Sequence, residues 1–248
     1  MPLYGLIGYP LSHSLSRNYF LDKFKDEGIK DADYQLFPLK SIEELPELLR
    51  QHPNLSGLNV TSPYKQSVIP YLDELSEAAC AIGAVNVIKI SSKNGQPFLK
   101  GYNADYVGFM HSLQKMALLS VRTALVLGTG GAARSVAYAL EGEGIACRFV
   151  SRTPRRENEL SYSQLTPDIL SLCQLIVNAT PVGMQGVDGE LPFPYQLLTS
   201  DHILYDLIYA PAETEFLHQG LMRGCKIKNG LEMLYLQADE SWRIWKEC

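Results

Sequence analysis

No stretch of this chain of 248 residues stays apolar for the ~20 residues a bilayer-spanning helix needs, so no membrane helix is expected. Nor is there a block of lysines and arginines. Its 22 basic residues are spread against 27 acidic ones for a formal net charge of −5, without the electrostatic footprint of a nucleic-acid binder. Cysteines are few, odd in number and scattered at 80, 147, 173, 225 and 248 with no CxxC spacing, so neither a disulfide framework nor a metal site is suggested. They read as reduced thiols. The chain opens on Leu3-Tyr4-Gly5-Leu6-Ile7-Gly8 without a basic n-region or a long apolar core, and a cytoplasmic protein is expected. It shows no internal repeat, low-complexity tract or long linker.

What is present is a soluble globular composition, 46% apolar and 20% charged, in a length that suits two modest domains better than one. Residues 3–8 predict a buried strand closed by glycine. The polar turn Pro10-Leu11-Ser12-His13-Ser14-Leu15-Ser16 predicts a cap for a helix over 17–25, with Leu15, Tyr19, Phe20, Leu21 and Phe24 as its apolar face. A strand follows at 34–38, then a helix to about 50 opened by the capping box Ser41-Ile42-Glu43-Glu44. A short strand at 58–60, a helix over 73–82, a strand over 84–90 and an Asn94-Gly95 hairpin into 98–101 complete the first half.

The order then restarts. A connecting helix is expected over 103–118, a strand at 123–127, a helix to about 143, and strands at 147–150, 175–178 and 203–206. A helix over 211–222 has proline and acids in its first turn, and a short strand at 226–228 precedes a final helix over 231–245. Strands alternating with helices predict an α/β fold with mostly parallel sheet covered on both faces.

Three stretches are candidates for chemistry. Asn59-Val60-Thr61-Ser62-Pro63-Tyr64-Lys65 leaves a strand and carries two short hydrogen-bonding side chains and one long cation to a sheet edge, where open α/β sheets bind ligands. Lys65 gains meaning from Asp105, in another polar segment entered from a strand, because a carboxylate near an ammonium keeps it charged and oriented for proton transfer. On residues alone the pair reads equally well as surface charges. Ser14 and Ser16, two apart on a capping turn, read first as helix caps.

The loop Gly128-Thr129-Gly130-Gly131-Ala132-Ala133 fits GxGxxA, follows a five-residue apolar strand and opens a helix, the context of a Rossmann-type dinucleotide site. Glycine lets the backbone turn tightly and approach a pyrophosphate, whose charge rests on helix N-terminal amides. The alternative is a glycine turn with no ligand. About twenty residues on stands Ser151-Arg152-Thr153-Pro154-Arg155-Arg156 in place of an acid. An arginine fork suits a 2′-phosphate and an acid would repel it, so NADP is expected, read by Arg152 and Thr153. Arg155 or Arg156 would support them, or form a solvated basic turn.

These stretches, with Gly83-Ala84-Val85-Asn86, Gly101-Tyr102-Asn103-Ala104-Asp105, Asn178-Ala179-Thr180-Pro181-Val182-Gly183-Met184 and Asn229-Gly230-Leu231-Glu232-Met233-Leu234 with Gln237, resemble shikimate dehydrogenases in order and spacing over nearly the whole chain. The resemblance implies NADP-dependent, reversible reduction of 3-dehydroshikimate to shikimate in aromatic amino-acid biosynthesis. It implies that Lys65 and Asp105 are the catalytic pair. Ser14, Ser16, Thr61, Asn86, Tyr209 and Gln237 would hold the substrate, with Asn59 ordering the turn. Gly128, Gly130, Gly131, Ala132, Ser151, Arg152, Thr153, Thr180, Met184 and Gly230 would meet the cofactor, Met184 near the nicotinamide. No metal, nucleic acid or membrane is expected, and either a monomer or a homodimer fits.

The implied architecture is an N-terminal α/β substrate domain at 1–103, a Rossmann-type doubly wound parallel sheet at 104–228, and a C-terminal helix at 229–248 returning to the first domain with Gln237. Four positions depart from the family pattern: Arg17 where proline is customary, Ser62 where an aliphatic residue is usual, Ala104 where threonine is common, and Ser151 where asparagine often precedes the arginine. The chain is also short for the family, which suggests trimmed loops around 91–97 and 154–168. The rival readings are a quinate/shikimate dehydrogenase with looser substrate or cofactor preference, and a metabolite-binding regulator without catalysis.

Overall fold

In the computed structural model, which describes every residue except 13, 115, 117–120 and 248, the run Leu3–Gly8 is strand β1 and all six of its residues are buried. Helix α1 (Ser16–Asp26), strand β2 (Asp33–Pro38), helix α2 (Leu45–Gln51) and strand β3 (Leu55–Val60) follow. Next come the two-residue strand β4 (Glu74–Leu75), helix α3 (Glu77–Ile82) and strands β5 (Val87–Lys93) and β6 (Gln96–Tyr102). The remaining elements are α4 (Asp105–Gln114), β7 (Thr123–Leu127), α5 (Gly131–Gly142), β8 (Ala146–Ser151), β9 (Glu159–Ser161), α6 (Pro167–Leu172), β10 (Leu175–Asn178), β11 (Ile203–Asp206), α7 (Glu215–Leu221), β12 (Lys226–Lys228) and α8 (Leu231–Lys246). Contacts divide them into two units, Met1–Ala104 with the chain from Gln237 onward, and Asp105–Leu236.

The first unit holds a six-stranded sheet in the order β2-β1-β3-β5-β6-β4. Its parallel part is β2, β1 and β3, as alternation of strands and helices requires. Beyond β3 this sheet is mixed, although β4 pairs in parallel with β6 and parallel pairing predominates over the two sheets as expected. Asn94 and Gly95 both take positive φ, +54° and +78°, and their two-residue turn sends β6 back along β5, so β5–β6 is antiparallel; β3–β5 is antiparallel as well. Side chains alternate across the sheet. Leu3 and Ile7 join a core with Phe37, Leu45 and Leu58, while Tyr4 and Leu6 face Phe20, Phe24, Tyr34, Trp242 and Trp245.

The second unit is wholly parallel, in the order β9-β8-β7-β10-β11-β12, which is the 3-2-1-4-5-6 arrangement of a doubly wound dinucleotide fold. Both faces of β7 are buried, Ala124 and Val126 in one core and Leu125 and Leu127 in the other. The sheet reverses its winding between β7 and β10, and that is where such folds open a ligand crevice.

Several expectations shift by physical causes. The helix expected over 73–82 begins at Glu77, because the Ser76 hydroxyl accepts the Ala79 amide at 3.2 Å and the two residues before it pair with Lys100 and Gly101. The strand expected from 84 begins at Val87. The helix expected over 211–222 begins at Glu215, where Thr214 is the N-cap and its hydroxyl accepts from Leu217. The connecting helix is Asp105–Gln114, and the predicted end at 118 lies outside the described residues, as do His13 of the capping turn and Cys248. Strand β9 and helix α6 were not foreseen; each is short, and β9 lies in the stretch expected to be a trimmed loop.

Helix α8 is divided by its packing. Met233 belongs to a core of the second unit, whereas Ala238, Trp242 and Trp245 belong to the aromatic core of the first. There Trp245 stacks on Tyr4 at 4.8 Å and its indole donates to the Ile88 carbonyl at 3.0 Å. Gly57 makes room: a Cβ at that position would lie 2.3 Å from the Trp245 indole nitrogen. The division between units therefore falls after Leu236, inside the helix, rather than at 228.

Candidate active site

In the first unit the site is built around Asn59, the penultimate residue of β3. Its amide is fully engaged: Oδ1 accepts from the Tyr34 phenol at 2.8 Å, and Nδ2 donates to the Ser241 hydroxyl at 2.9 Å and the Asn86 carbonyl at 3.3 Å. Burial pushes the Tyr34 phenol well above its ordinary range, and a hydrogen bond from Ser16 draws it part of the way back. Asn86 donates through Nδ2 to Gln237 Oε1 at 3.3 Å and accepts the Ala104 amide on Oδ1 at 2.6 Å. Ser16, Asn59, Asn86 and Gln237, from four distant segments, are thus joined in one hydrogen-bonded set through Tyr34 and Ser241.

Sequence reasoning missed those two connectors. Nothing local marks them, since a tyrosine inside a strand and a serine inside a helix are ordinary residues until α8 lies against β3.

The serines at 14 and 16 do not cap α1 as expected. Leu15 occupies the cap position with no side-chain bond, and the Ser14 hydroxyl instead accepts the Ser16 amide at 3.3 Å. Both serines are half-buried. The turn after β3 is held by its backbone: the Thr61 amide donates to Ile7 at 2.9 Å, and the Thr61 carbonyl accepts from Tyr64 at 3.0 Å. The Ser62–Pro63 peptide bond within it is cis. Lys65 is half-buried, and its carbonyl accepts the Val85 amide at 2.7 Å.

The two motifs around 83–86 and 101–105 are tied to each other. The Asn103 side chain donates to the Ala84 carbonyl at 3.0 Å, and the Asn86 amide donates to the Tyr102 carbonyl at 3.0 Å. Ala104 is fully buried. The next residue, Asp105, is 5% exposed and opens α4, where a carboxylate is favoured by the helix dipole.

In the second unit, β7 ends at Leu127 and the glycine loop begins. Gly128 has φ +104°, which only glycine adopts without strain, and a Cβ there would lie 3.1 Å from Thr180 Cγ2 and 3.2 Å from the Ala179 carbonyl. The loops after β7 and β10 therefore touch at the switch point. At Gly130, by contrast, a Cβ would meet nothing within 4 Å, and as N-cap of α5 it brings no side chain over the helix N-terminus. That open cradle of main-chain amides, with Gly131 and Ala132 beginning the helix, fits a pyrophosphate.

At the end of β8, Ser151 accepts the Thr153 amide at 3.2 Å, while Arg152 and Thr153 are exposed. Arg156 stands 4.0 Å from Glu159, and the Arg155 amide donates to the same carboxylate. Of the arginines, Arg156 is thus drawn toward a local acid. Met184 is 43% exposed and Tyr209 is half-buried. Gly230 is buried, and a Cβ there would lie 2.0 Å from the Leu207 carbonyl oxygen, so close approach of backbones demands glycine. Among the described residues no group of three or more His, Cys, Asp or Glu is placed to hold a metal ion, and no helix is long and apolar enough to cross a membrane.

Residues 6–88 match the family model described as the shikimate dehydrogenase substrate binding domain. Over 99% of its length the chain is 37% identical to a shikimate dehydrogenase (NADP(+)) of Aquifex aeolicus, of which the match covers 91%. The chain belongs to the shikimate dehydrogenase family. Its fold is similar to that of the Thermus thermophilus shikimate 5-dehydrogenase solved in complex with NADP(H) and shikimate, with a TM-score of 0.85 and 31% identity over 99% of this chain and 94% of that one. It is as similar to a quinate dehydrogenase from Corynebacterium glutamicum in complex with NAD, with a TM-score of 0.85 and 30% identity over 99% and 93%.

Proposed function

We propose that this chain catalyses the NADP-dependent, reversible reduction of 3-dehydroshikimate to shikimate. The observation that carries the reading is the hydrogen-bonded polar set of Ser16, Asn59, Asn86 and Gln237, brought together from distant segments in the unit that contains residues 6–88. The unit containing residues 1–104 takes the substrate and the unit of residues 105–236 takes the cofactor. Ser14, Ser16, Thr61, Asn86, Tyr209 and Gln237 hold the hydroxyls and carboxylate of the substrate. Asn59, with its amide already engaged, orders Asn86.

The cofactor, when bound, would supply the hydride as NADPH and accept it as NADP⁺ in the reverse direction. The glycine loop Gly128 to Ala132 takes its pyrophosphate, Ser151, Arg152 and Thr153 its 2′-phosphate, and Thr180, Met184 and Gly230 the remainder of the molecule. Reduction of the carbonyl develops negative charge on its oxygen, and the Lys65 ammonium supplies the proton. Asp105 keeps that ammonium charged and oriented. In the oxidative direction Lys65, or Asp105 through a water, takes the hydroxyl proton. A positioned proton donor contributes about a hundred- to ten-thousand-fold, or roughly 3–5 kcal/mol of barrier. The protein acts in the cytoplasm as a monomer or homodimer on this small-molecule substrate.

A spectrophotometric assay of NADP reduction tests the reading. Shikimate is expected to drive it and quinate to drive it far more slowly. Comparable rates with quinate would replace this reading with the broader specificity, and no turnover with either would leave a binding protein.

A further inference from the structure

Asp206 ends β11, one strand beyond β10 from the glycine loop, and none of it is exposed. Its carboxylate accepts from three neutral donors: the Thr214 hydroxyl at 2.6 Å on Oδ2, and the Ile208 amide at 3.0 Å and Asn178 Nδ2 at 3.1 Å on Oδ1. Ile208 and Thr214 belong to the loop that leaves β11 and carries Tyr209. Asn178 belongs to the end of β10. A single side chain therefore spans two loops.

The contacts continue from Asn178 toward the glycine loop. Its Nδ2 also donates to the Val182 carbonyl at 3.3 Å, and its Oδ1 accepts both the amide and the hydroxyl of Thr180, at 3.1 and 2.7 Å. Thr180 Cγ2 is the nearest atom to where a Cβ of Gly128 would stand. Thr214 is also the nearest residue to a Cβ position on Gly183, at 3.4 Å, so the residue bonded to Asp206 Oδ2 lies beside the far end of that loop.

We propose that Asp206 is a positioning residue for the cofactor, its carboxylate fixing the loops 179–184 and 207–214 in the one arrangement that binds the dinucleotide. The inference rests on the assignment of Thr180 and Met184 to NADP. An ionised group sealed from water serves stability poorly, whereas three donors converging on it define one geometry for both loops. Burial pushes the Asp206 carboxyl up to about 6, against the pull of Thr214, Ile208 and Asn178. Once protonated it carries a donor of its own and loses its charge, so its hold on the three donors weakens. The ionisable group that senses its charge is Tyr195, which is held above its usual range by burial and then by Glu215 and Asp206.

The test is NADPH binding by the full chain, followed by cofactor fluorescence at pH 8 and pH 5. Asp206→Asn is expected to weaken binding about tenfold at pH 8, the size of one lost charge-assisted bond. At pH 5, below the value of about 6 to which burial raises the wild-type carboxyl, the ratio of the two affinities should fall toward one. Titration of the cofactor's own phosphate cancels in that ratio. Thr214→Val should weaken binding in the same direction and Thr214→Ser should restore it. Wild-type affinity of Asp206→Asn at pH 8, or an equal ratio at both pH values, overturns the proposal. If Asp206→Asn does not fold, Thr214→Val decides, and its binding like wild type overturns the proposal. Met184→Ala separates the two readings. Weakened binding by it with none by Asp206→Asn overturns this inference alone, and wild-type binding by it removes the loop from the cofactor and takes both readings down.

Discussion

Asn86 and Gln237, 151 positions apart in sequence, meet side chain to side chain at 3.3 Å. The contact exists because the second half of α8 is drawn into the aromatic core of the first unit, where Tyr4 packs edge-on against Trp242 at 5.3 Å and stacks on Trp245 at 4.8 Å. Burial of those large rings is the strongest force on this part of the helix. It fixes the helix rotation that turns Gln237 and Ser241 toward Asn86 and Asn59.

Ser241 is fully buried and accepts from Asn59 at 2.9 Å. Ser241→Ala leaves that donor with only the longer Asn86 contact, and is expected to cost about 1–3 kcal/mol of stability, the range for a buried polar group left unsatisfied. Urea unfolding measures it. The same variant is expected to raise the Michaelis constant for shikimate while that for NADP stays unchanged. An equal rise in both would separate Asn59 from the substrate.

Lys65→Met removes the proposed proton donor and keeps most of the apolar stem. Turnover is expected to fall by at least about a hundredfold, the lower bound for positioned proton transfer, while NADPH affinity is retained. Steady-state kinetics with a parallel binding titration check it, and near-full turnover would take Lys65 out of the mechanism.

Arg152 is exposed at the end of β8, with no acid at 151–153 beside it. Arg152→Ala is expected to raise the Michaelis constant for NADP by about ten- to a hundredfold, the equivalent of one charged contact to phosphate, and to leave that for NAD nearly unchanged. Equal effects on the two cofactors would refute the 2′-phosphate assignment.

Gly230→Ala places a methyl group 2.0 Å from the Leu207 carbonyl oxygen, which is backbone and cannot swing away. The Gly230 amide also donates to Ile208 at 3.0 Å, so the chain cannot simply retreat. A loss of about 2–4 kcal/mol is expected, as for other strained or overpacked sites. Thermal unfolding against wild type shows it, and an unchanged midpoint would mean that the 207–208 backbone gives way freely.

The sequence by itself determined the elements whose signals are local. Residues 3–8, 123–127, 175–178 and 203–206 are strands with the expected bounds, because largely apolar runs end at polar or glycine residues, and the short strand 226–228 also has its expected bounds. The Ser41 capping box, the Asn94-Gly95 turn and the glycine loop were legible for the same reason: each is a few adjacent residues satisfying one another. Where competing local signals existed, the hydroxyl cap decided. Thr214 rather than Pro211 starts α7, and Ser76 starts α3, since in each case a hydroxyl meets the first free amides.

The site was legible as a set of residue types, and the resemblance supplied their order. Only the fold decided how they are held. Tyr34 joining Ser16 to Asn59, Ser241 joining Asn59 to α8, and Asp206 joining two loops through Asn178 and Thr214 are contacts between segments that sequence spacing does not relate. Buried polar groups must find partners wherever packing leaves them. Packing is set by the sheets and aromatic core as a whole, so the partners appear only when the chain is folded.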